Sequence, residues 1–410
     1  MVPNDWSLVE AKDVCKAISV GVVIKPTQYY VSKDEGIKAF RSANVREGFI
    51  NDNDWVYFSK EGHAANKKSS LLAGDVLIVR TGYPGTACVV TPEFEGSNAI
   101  DIVIARPDSN KIIPEYLCAY TNSHIGKSQV LDLQGGLAQK HLNVGAYQVL
   151  KIKLPPLLEQ NKITKILATW DKAISTTEQL LANSQQQKKA LMQQLLTGKK
   201  RLLDKNGVRF SGEWKKVTLD SVADMNSGGT PKSSIEEYYG GDIPWVSIAD
   251  MTKHGKWISS TERNISELGL ANSSARLYPE NTILYAMYAS IGECSIAKVP
   301  LCSSQAILGI RPKKSLYFEF LYFFLVSLKD EIKLQGQQGT QANLNAGMVK
   351  GFSLRLPCIE EQQKIADVLS TTDQEIAALQ QKLDALKQEK KALMQQLLTG
   401  KRRVKVEEAA

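Results

Sequence analysis

Apolar side chains recur in alternating steps of four and three residues along two long stretches of the chain, the spacing of a coiled-coil seam. In the second stretch, residues 356–403, the apolar seam positions are Ile365, Leu369, Ile376, Leu379, Leu383, Leu386, Leu393 and Leu397. In the first stretch, residues 154–201, they are Ile163, Leu167, Trp170, Ile174, Leu181, Leu191 and Leu195. We predict one long helix in each stretch, with the two seams packed against each other.

Proline and glycine mark the limits of both predicted helices. Pro155 and Pro156 precede the first helix and Pro357 precedes the second, while Gly198 and Gly400 stand where a left-handed residue ends a helix. At about 1.5 Å per residue, each helix would be roughly 60 Å long.

The two stretches are copies of one sequence. Residues 154–201 align with residues 356–403 without a gap at a constant offset of 202, and 26 of the 48 positions are identical. The segment Lys188–Lys199 recurs unchanged as Lys390–Lys401. Because a globular segment lies between the copies, the chain has room to return, and we expect the helices to run antiparallel in a pseudo-two-fold repeat.

The remaining sequence divides into two globular domains, residues 1–153 and 202–355, and a tail, residues 404–410. The domains resemble each other weakly: Asp75–Val79 resembles Thr282–Ala286, and Asn98-Ala99-Ile100 resembles Gln305-Ala306-Ile307. The length of 410 residues suits two cores. We predict an α+β fold in which two mixed α/β domains with small twisted sheets are separated by two long antiparallel coiled-coil helices.

Composition narrows the classes of function. The net charge of +8 favours a polyanionic partner. Six cysteines without a CxxC pair, together with four histidines, argue against zinc and disulfides. The N-terminus lacks a secretory signal, and the most apolar stretch, Phe318–Leu328, is shorter than the roughly 20 residues of a membrane span. We expect a cytoplasmic protein with no membrane contact.

Candidate DNA-binding residues lie in turns and in loops rich in glycine, amides and hydroxyls, whose side chains and backbone donate to phosphates and base edges. The simpler interpretation of each loop is a solvated connection, and that of each tyrosine is packing. The candidates in the first domain are Arg80, Thr81, Tyr83, Gln134, Gln139, Lys140 and His141. Those in the second domain are Lys232, Ser233, Tyr285, Tyr288, Gln337, Gln338, Thr340, Gln341 and Asn343.

Sequence features of an enzyme are missing. The chain has no glycine-rich cofactor loop with an Asn/Asp-Pro-Pro-aromatic tetrapeptide, no GxxxxGK[ST] loop and no recognisable metal-binding carboxylate cluster. We therefore predict no catalytic residues, no metal site and no cofactor bound by this chain.

Three motifs together resemble the specificity subunit of type I restriction-modification systems. They are the Leu154–Ile163 segment leading to Trp170-Asp171, the repeated KKALMQQLLTGK, and Gly228–Lys232 with Tyr239–Trp245. The first domain departs from this pattern, since it has Val20–Pro26 in place of the Gly-Gly-Thr-Pro-Lys signature. The resemblance covers essentially the whole chain.

The resemblance implies a non-catalytic subunit of a restriction endonuclease and adenine methyltransferase complex acting in defence against foreign DNA. Each globular domain would be a target recognition domain that reads one half of a bipartite, asymmetric site in double-stranded DNA, and the helices would fix the gap. Two methyltransferase subunits would dock on the helices, and restriction (translocase) subunits would join them. S-adenosylmethionine, ATP and Mg²⁺ would be used by those partners.

Three alternatives remain open from the sequence alone. An autonomous sequence-specific DNA-binding protein would bind its site tightly without a methyltransferase. A structural coiled-coil adaptor would show no salt-dependent DNA affinity. A catalytic subunit with diverged motifs would transfer methyl groups by itself.

Overall fold

A computed structural model describes residues 3–133, 141–288, 290–332 and 344–405. The chain divides into two compact units: residues 1–178 with 381–410 form unit 1, and residues 179–380 form unit 2. Both boundaries fall inside long helices. Each unit thus combines one globular domain with one half of each long helix.

Unit 1 holds the N-terminal globular domain. Its elements in chain order are β1 (Ser7–Glu10), α1 (Ala11–Val14), β2 (Cys15–Val20), β3 (Tyr30–Val31), β4 (Ile37–Phe40), β5 (Val45–Arg46), β6 (Phe49–Ile50), β7 (Val56–Phe58), α2 (Lys60–Ala65), β8 (Val76–Val79), β9 (Ala87–Val89), β10 (Asn98–Ala99), β11 (Ile102–Pro107), α3 (Pro114–Asn122), α4 (His124–Leu133), α5 (Val144–Gln148) and β12 (Lys151–Leu154). Short 3₁₀ helices cover Pro26–Tyr29, Ser42–Asn44, Lys67–Ser69 and Pro92–Phe94. The long helix α6 (Leu157–Leu195) follows.

Two four-stranded sheets organise this domain, in the orders β2-β11-β8-β9 and β10-β4-β7-β3. Strand β8 is buried along its whole length, so its side chains supply two cores. Val76 and Ile78 face the helices α3–α5 and the start of α6, whereas Leu77 and Val79 pack with Phe40 and Phe94 on the other face. This alternation is the period of two that a strand buried on both faces must satisfy.

Unit 2 holds the second globular domain. Its elements are β13 (Lys215–Thr218), α7 (Leu219–Val222), β14 (Ala223–Ser227), β15 (Tyr239–Val246), α8 (Ile248–His254), β16 (Trp257–Ile258), β17 (Arg263–Ile265), α9 (Glu267–Ala271), β18 (Ile283–Ala286), β19 (Cys294–Ala297), β20 (Cys302–Ser303), β21 (Ile307–Pro312), α10 (Phe318–Ser327), α11 (Ala346–Lys350) and β22 (Ser353–Leu356). A 3₁₀ helix covers Glu236–Tyr238. The second long helix is α12 (Ile359–Leu397).

The central sheet of unit 2, in the order β14-β21-β18-β19-β16, repeats the strand arrangement of unit 1. One part of the predicted alignment is wrong by two residues. Ile102 pairs with Val79, and Ile307 pairs with Ala286, so Ile307 corresponds to Ile102 and not to Ile100. The sequence alignment matched similar residues without a gap, although the connections between the strands differ in length between the two domains.

The long helices run antiparallel within each unit. In unit 1, Glu178 pairs with Lys387 and Asp171 pairs with Lys390, so partner numbers fall as helix numbers rise. In unit 2, Lys188 pairs with Asp373 in the same sense. All the seam residues named above are buried or half-buried.

The predicted helix limits agree with the structure. The first helix begins directly after Pro156 and the second begins two residues after Pro357, and both end before glycines in the left-handed region, Gly198 (φ +73°) and Gly400 (φ +74°). The loop residues Asn143 and Asn345 are helix N-caps, because each side-chain oxygen accepts a hydrogen bond from the backbone nitrogen three residues on. Their repetition therefore reflects a structural role.

Candidate functional site

Two loops leave the central sheet of unit 1 at the same edge. Val20 at the end of β2 lies opposite Val103, and Val79 at the end of β8 lies opposite Ile102. The loops after β2 and after β8 therefore start side by side, beside the beginning of β11. We call this surface the loop edge of unit 1.

Arg80, a predicted DNA contact, is held inside the domain. Its side chain pairs with Asp101, its Nε donates to the carbonyl of Leu142 (3.0 Å), and its Nη2 donates to His141. The residue is 8% exposed. These bonds occupy three of the five guanidinium N–H donors and hold the buried side chain in place, so the structure gives Arg80 a role in positioning the loop edge.

The same bonds fix the tautomer of His141. A guanidinium only donates, so Nε2 of His141 accepts from Arg80 and Nδ1 carries the proton. Nδ1 then donates to the Thr81 hydroxyl at 3.0 Å. Thr81 and His141, both exposed, are thus held together as a pair at the loop edge.

The loop after β2, Gly21–Lys25, forms the other half of this edge. Gly21 donates to the carbonyl of Ile102 (2.9 Å), and a Cβ at Gly21 would lie 2.3 Å from the Ala99 oxygen. Ile24 is 79% exposed, and Lys25 is exposed in the left-handed region with φ 44°. The segment therefore presents an apolar and a cationic side chain on a backbone held close to the sheet.

The loop edge of unit 2 uses the signature glycines in the same place. Gly228 donates to the carbonyl of Ile307 (3.0 Å), and a Cβ at Gly228 would lie 2.2 Å from the Ser303 oxygen. The other signature segment supports this loop: Trp245 donates to the Gly229 carbonyl (2.9 Å) and Tyr239 donates to the Pro231 carbonyl (2.7 Å). The two sequence motifs thus form one structural unit.

Lys25 is a functional candidate that sequence reasoning missed. Gly21–Lys25 occupies the position of Gly228–Lys232, since both first residues donate to the first residue of an equivalent strand. Lys25 therefore corresponds to Lys232. Gly21–Lys25 and Gly228–Lys232 are related by an offset of 207, the same offset that relates Asp75–Val79 to Thr282–Ala286. This constant offset was the sequence signal that could have identified Lys25.

Several predicted contacts are exposed at the loop edges. Thr81, His141, Lys232 and Ser233 are exposed, Tyr83 is 84% exposed and Tyr288 is 42% exposed. Tyr285 is not at the surface: it lies fully buried in the core of unit 2, burial raises the pKa of its phenol, and we correct its assignment. The following candidates lie outside the described residues: Gln134, Gln139, Lys140, Gln337, Gln338, Thr340, Gln341 and Asn343.

A separate cluster fastens each globular domain to the start of a long helix. In unit 1, the buried carboxylate of Glu159 accepts from Trp6 (2.9 Å) and from two nitrogens of Arg403 (both 2.8 Å). The adjacent Gln160 accepts from the backbone of Ile113 and donates to the carbonyls of Lys111 and Pro155. We call this group the helix-start clamp of unit 1.

Unit 2 repeats the clamp. Glu361 accepts from Trp214 (3.2 Å) and from Arg201 (2.7 and 2.8 Å), and Gln362 binds the backbone of Tyr317. The hydrogen bonds to carboxylates raise the pKa of both Arg201 and Arg403. Each clamp joins the end of one long helix to the start of the other.

Within the described ranges, no group of three or more His, Cys, Asp or Glu side chains could hold a metal ion. No helix in the same part of the chain is long and apolar enough to cross a membrane.

The globular domains match a known family twice. Residues 3–183 and 211–388 match the type I restriction modification DNA specificity domain. The chain is 27% identical to a putative type I restriction enzyme MjaX specificity subunit of Methanocaldococcus jannaschii, over 98% of this chain and 95% of that protein. It is 26% identical to the EcoR124I/EcoR124II specificity subunit of Escherichia coli, over 68% of each chain.

The fold has been seen before. A solved structure on the complex assembly and conformational transition of the type I R-M system superimposes with a TM-score of 0.62 at 21% identity, over 98% of this chain and 100% of that chain. The HsdS subunit of Thermoanaerobacter tengcongensis superimposes with a TM-score of 0.51 at 21% identity, over 98% of both chains. With two matched domains that span most of its length, this chain belongs to the family of type I restriction-modification specificity subunits.

Proposed function

We propose that each globular domain of this specificity subunit reads one half of a bipartite DNA site through its loop edge. The observation that carries the proposal is the pair of equivalent edges with unlike exposed side chains. Unit 1 presents Val23 and Lys25, and unit 2 presents Thr230 and Lys232 in their place. The shared lysine suits a phosphate, which every sequence offers, and the differing neighbours suit different bases.

The edge of unit 1 offers three kinds of contact. Lys25 supplies charge to the phosphate backbone, and Thr81 paired with His141 supplies hydroxyl and ring groups for base edges. Tyr83, the most exposed aromatic residue among these candidates, supplies a ring and a phenol. Discrimination of about 1 to 3 kcal/mol for each base pair would accumulate over the two domains.

In this proposal the long helices set the unread gap and dock two methyltransferase subunits, and restriction subunits join the assembly. The absence of cofactor-binding motifs from this sequence supports placing S-adenosylmethionine, ATP and Mg²⁺ on the partner subunits. The complex would act in the cytoplasm, where the DNA lies. This chain supplies sequence recognition and leaves the chemistry to its partners.

The experiment is a map of methylated adenines in cells with and without this gene. We expect methylation at one bipartite asymmetric motif to disappear on deletion and to return with the intact gene. An unchanged map, with tight site-specific binding by the purified chain alone, would favour an autonomous DNA-binding protein. Absence of any salt-dependent DNA affinity in the assembled complex would favour an adaptor.

A further inference from the structure

A groove opens in unit 1 between the start of α6 and the end of α12. It encloses about 1000 Å³. Ile166, Trp170 and Leu393 contribute apolar side chains to its lining, together with Leu158, which is 62% exposed. Leu158 is exposed and Trp170 is half-buried about three turns further along α6, so apolar side chains follow the groove, as on a surface that another protein covers.

Basic side chains line the groove together with these apolar residues. Lys162, Lys165, Arg402 and Lys405 line the groove, and none of them forms an ion pair within the part of the chain that the structure describes. Glu389 is the one carboxylate among the lining residues. Arg403 also lines the groove, but Glu159 and Asp5 already neutralise it.

This combination specifies the chemistry of the occupant. Apolar side chains at helical spacing match an amphipathic helix laid into a groove. The flanking cations call for acidic residues along that helix, since unpaired charges that lose water need partners. DNA would satisfy the cations but would leave Leu158 and Trp170 without an apolar partner.

The equivalent face of unit 2 differs at the positions that matter. At the repeat offset of 202, Leu158 becomes Glu360, Lys165 becomes Asp367 and Trp170 becomes Thr372. Lys405 becomes Leu203 and Glu389 becomes Gln187, while Lys162 and Arg402 stay cationic as Lys364 and Lys200. Four cations face one carboxylate in unit 1, whereas two cations face two carboxylates in unit 2.

We infer that the two helix-end faces bind the methyltransferase partner unequally, and that the groove of unit 1 binds an acidic amphipathic helix of that partner first. The inference rests on the proposed docking of such subunits on the long helices. The face of unit 2 lacks at least one favourable charge pair and one apolar contact that the groove of unit 1 offers. This difference corresponds to a Kd that is roughly 10- to 100-fold higher at unit 2. The complex therefore assembles through a species with one methyltransferase subunit bound to unit 1.

The test titrates the purified cognate methyltransferase subunit into the full-length chain, followed by calorimetry and native mass spectrometry. Wild type should bind two copies in steps separated by at least about tenfold. The variant L158E/K165D/W170T gives the groove the residues of unit 2 and should lose the tight step. The reciprocal variant E360L/D367K should tighten the weak step by about tenfold.

Two controls keep folding and nonspecific charge apart from docking. K172D makes the same charge change on an exposed lysine of α6 that lies outside the groove and has no ion pair among the described residues, and it should leave both steps unchanged. K165D alone changes one exposed side chain and should weaken the tight step even if the triple variant unfolds. Circular dichroism melting verifies the fold of each variant.

The outcomes separate this inference from the proposed function. Two equal steps in wild type, or a tight step that survives K165D and the triple variant, would overturn the inference and leave docking intact. If K165D and the triple variant lost DNA affinity while both methyltransferase binding steps stayed unchanged, the groove would be a DNA site. That result would also overturn the inference. A methyltransferase subunit that does not bind wild type would overturn the proposed docking itself.

Discussion

Glu159 shows how one buried side chain carries the attachment of a domain. Its carboxylate has little access to water and receives hydrogen bonds from Trp6 and Arg403, residues from the two ends of the chain. Burying a carboxylate is favourable only when donors replace water. The repetition of the same contacts at Glu361 explains why Glu-Gln follows the helix-opening prolines in both copies.

Arg403→Ala should destabilise unit 1 by about 2 to 3 kcal/mol, because Glu159 would lose two of its charged hydrogen bonds. The value lies below that of a fully buried pair because Arg403 is partly exposed. Arg402→Ala removes an adjacent unpaired arginine and should change stability by less than about 0.5 kcal/mol. Urea unfolding followed by tryptophan fluorescence compares them, and equal effects would refute the role of the clamp.

Tyr285→Phe should stabilise unit 2 by about 1 kcal/mol, because the phenol oxygen is buried without a hydrogen-bond partner among the described residues. Phenylalanine keeps the ring and removes the unsatisfied group. Thermal unfolding measures the gain. Recognition of the second half-site should not change, and its loss would return Tyr285 to the DNA surface.

The sequence did not predict which individual candidate side chains are exposed. Arg80 and Thr81 follow the buried strand β8, and Tyr285 lies one residue before the end of the equivalent strand β18, yet Arg80 and Tyr285 are buried and Thr81 is exposed. Which of these side chains finds a partner depends on Asp101, Leu142 and the core of unit 2, all distant in sequence. Residue type alone therefore selected candidates, but it could not separate side chains that are exposed at a loop edge from buried side chains that hold the edge in place.

At the scale of elements, the loop edges depend on close approach of backbone to backbone. Gly228 lies where any Cβ would meet the Ser303 carbonyl, and the loop has no room to move away because Trp245 and Tyr239 hold its next residues. The equivalent loop in unit 1 keeps only the first glycine. Local sequence signals identified this loop in unit 2. In unit 1 the sequence placed Val20–Pro26 at the same position, and the strand pairing showed which of its residues correspond to the signature.

Gly228→Ala should lower the stability of unit 2 by about 2 to 3 kcal/mol and weaken recognition of one half-site, because the added methyl clashes with the Ser303 carbonyl in a loop that Trp245 and Tyr239 hold in place. Gly212→Ala is the matched control, since its Cβ would meet nothing within 4 Å. Thermal unfolding and methylated-adenine mapping measure both effects. A variant G228A that behaves like G212A would contradict the proposed loop geometry.

The long helices were the most predictable elements. Heptad spacing, the preceding prolines and the left-handed glycines are local, and the observed spans α6 and α12 follow them closely. The pairing of strands across the domains was predictable only in outline. Register depends on connection lengths, which differ between the copies and produced the two-residue error at Ile307.

At the scale of the whole molecule, each unit is assembled from distant parts of the chain. Leu397 and Leu398, near the C-terminus, are buried in the core that also contains Trp6 and Leu167. In unit 2, Leu195 and Leu196 occupy the corresponding place beside Ile365. A linear division at residues 153, 201 and 355 describes the sequence repeat, whereas folding joins each globular domain to both helices.

This organisation separates a repeated framework, made of the long helices and their clamps, from the divergent loop edges that we propose read the DNA. The clamps, seams and helix limits are nearly the same in both copies, and the residues at the loop edges and in the groove differ. A framework that repeats can hold domains that diverge, provided that the buried contacts at Glu159 and Glu361 remain. We therefore expect each reading domain to be exchangeable without change to the other.

The most direct test replaces residues 1–153 with the corresponding domain of another member of the family and maps methylated adenines in cells that carry the chimera. The chimera retains Glu159, Gln160 and Arg403, so the incoming domain needs its own tryptophan at the position of Trp6. We predict that one half of the methylated motif changes while the other half and the gap stay the same. A motif altered in both halves, or in neither half while methylation continues, would contradict independent reading by the two domains.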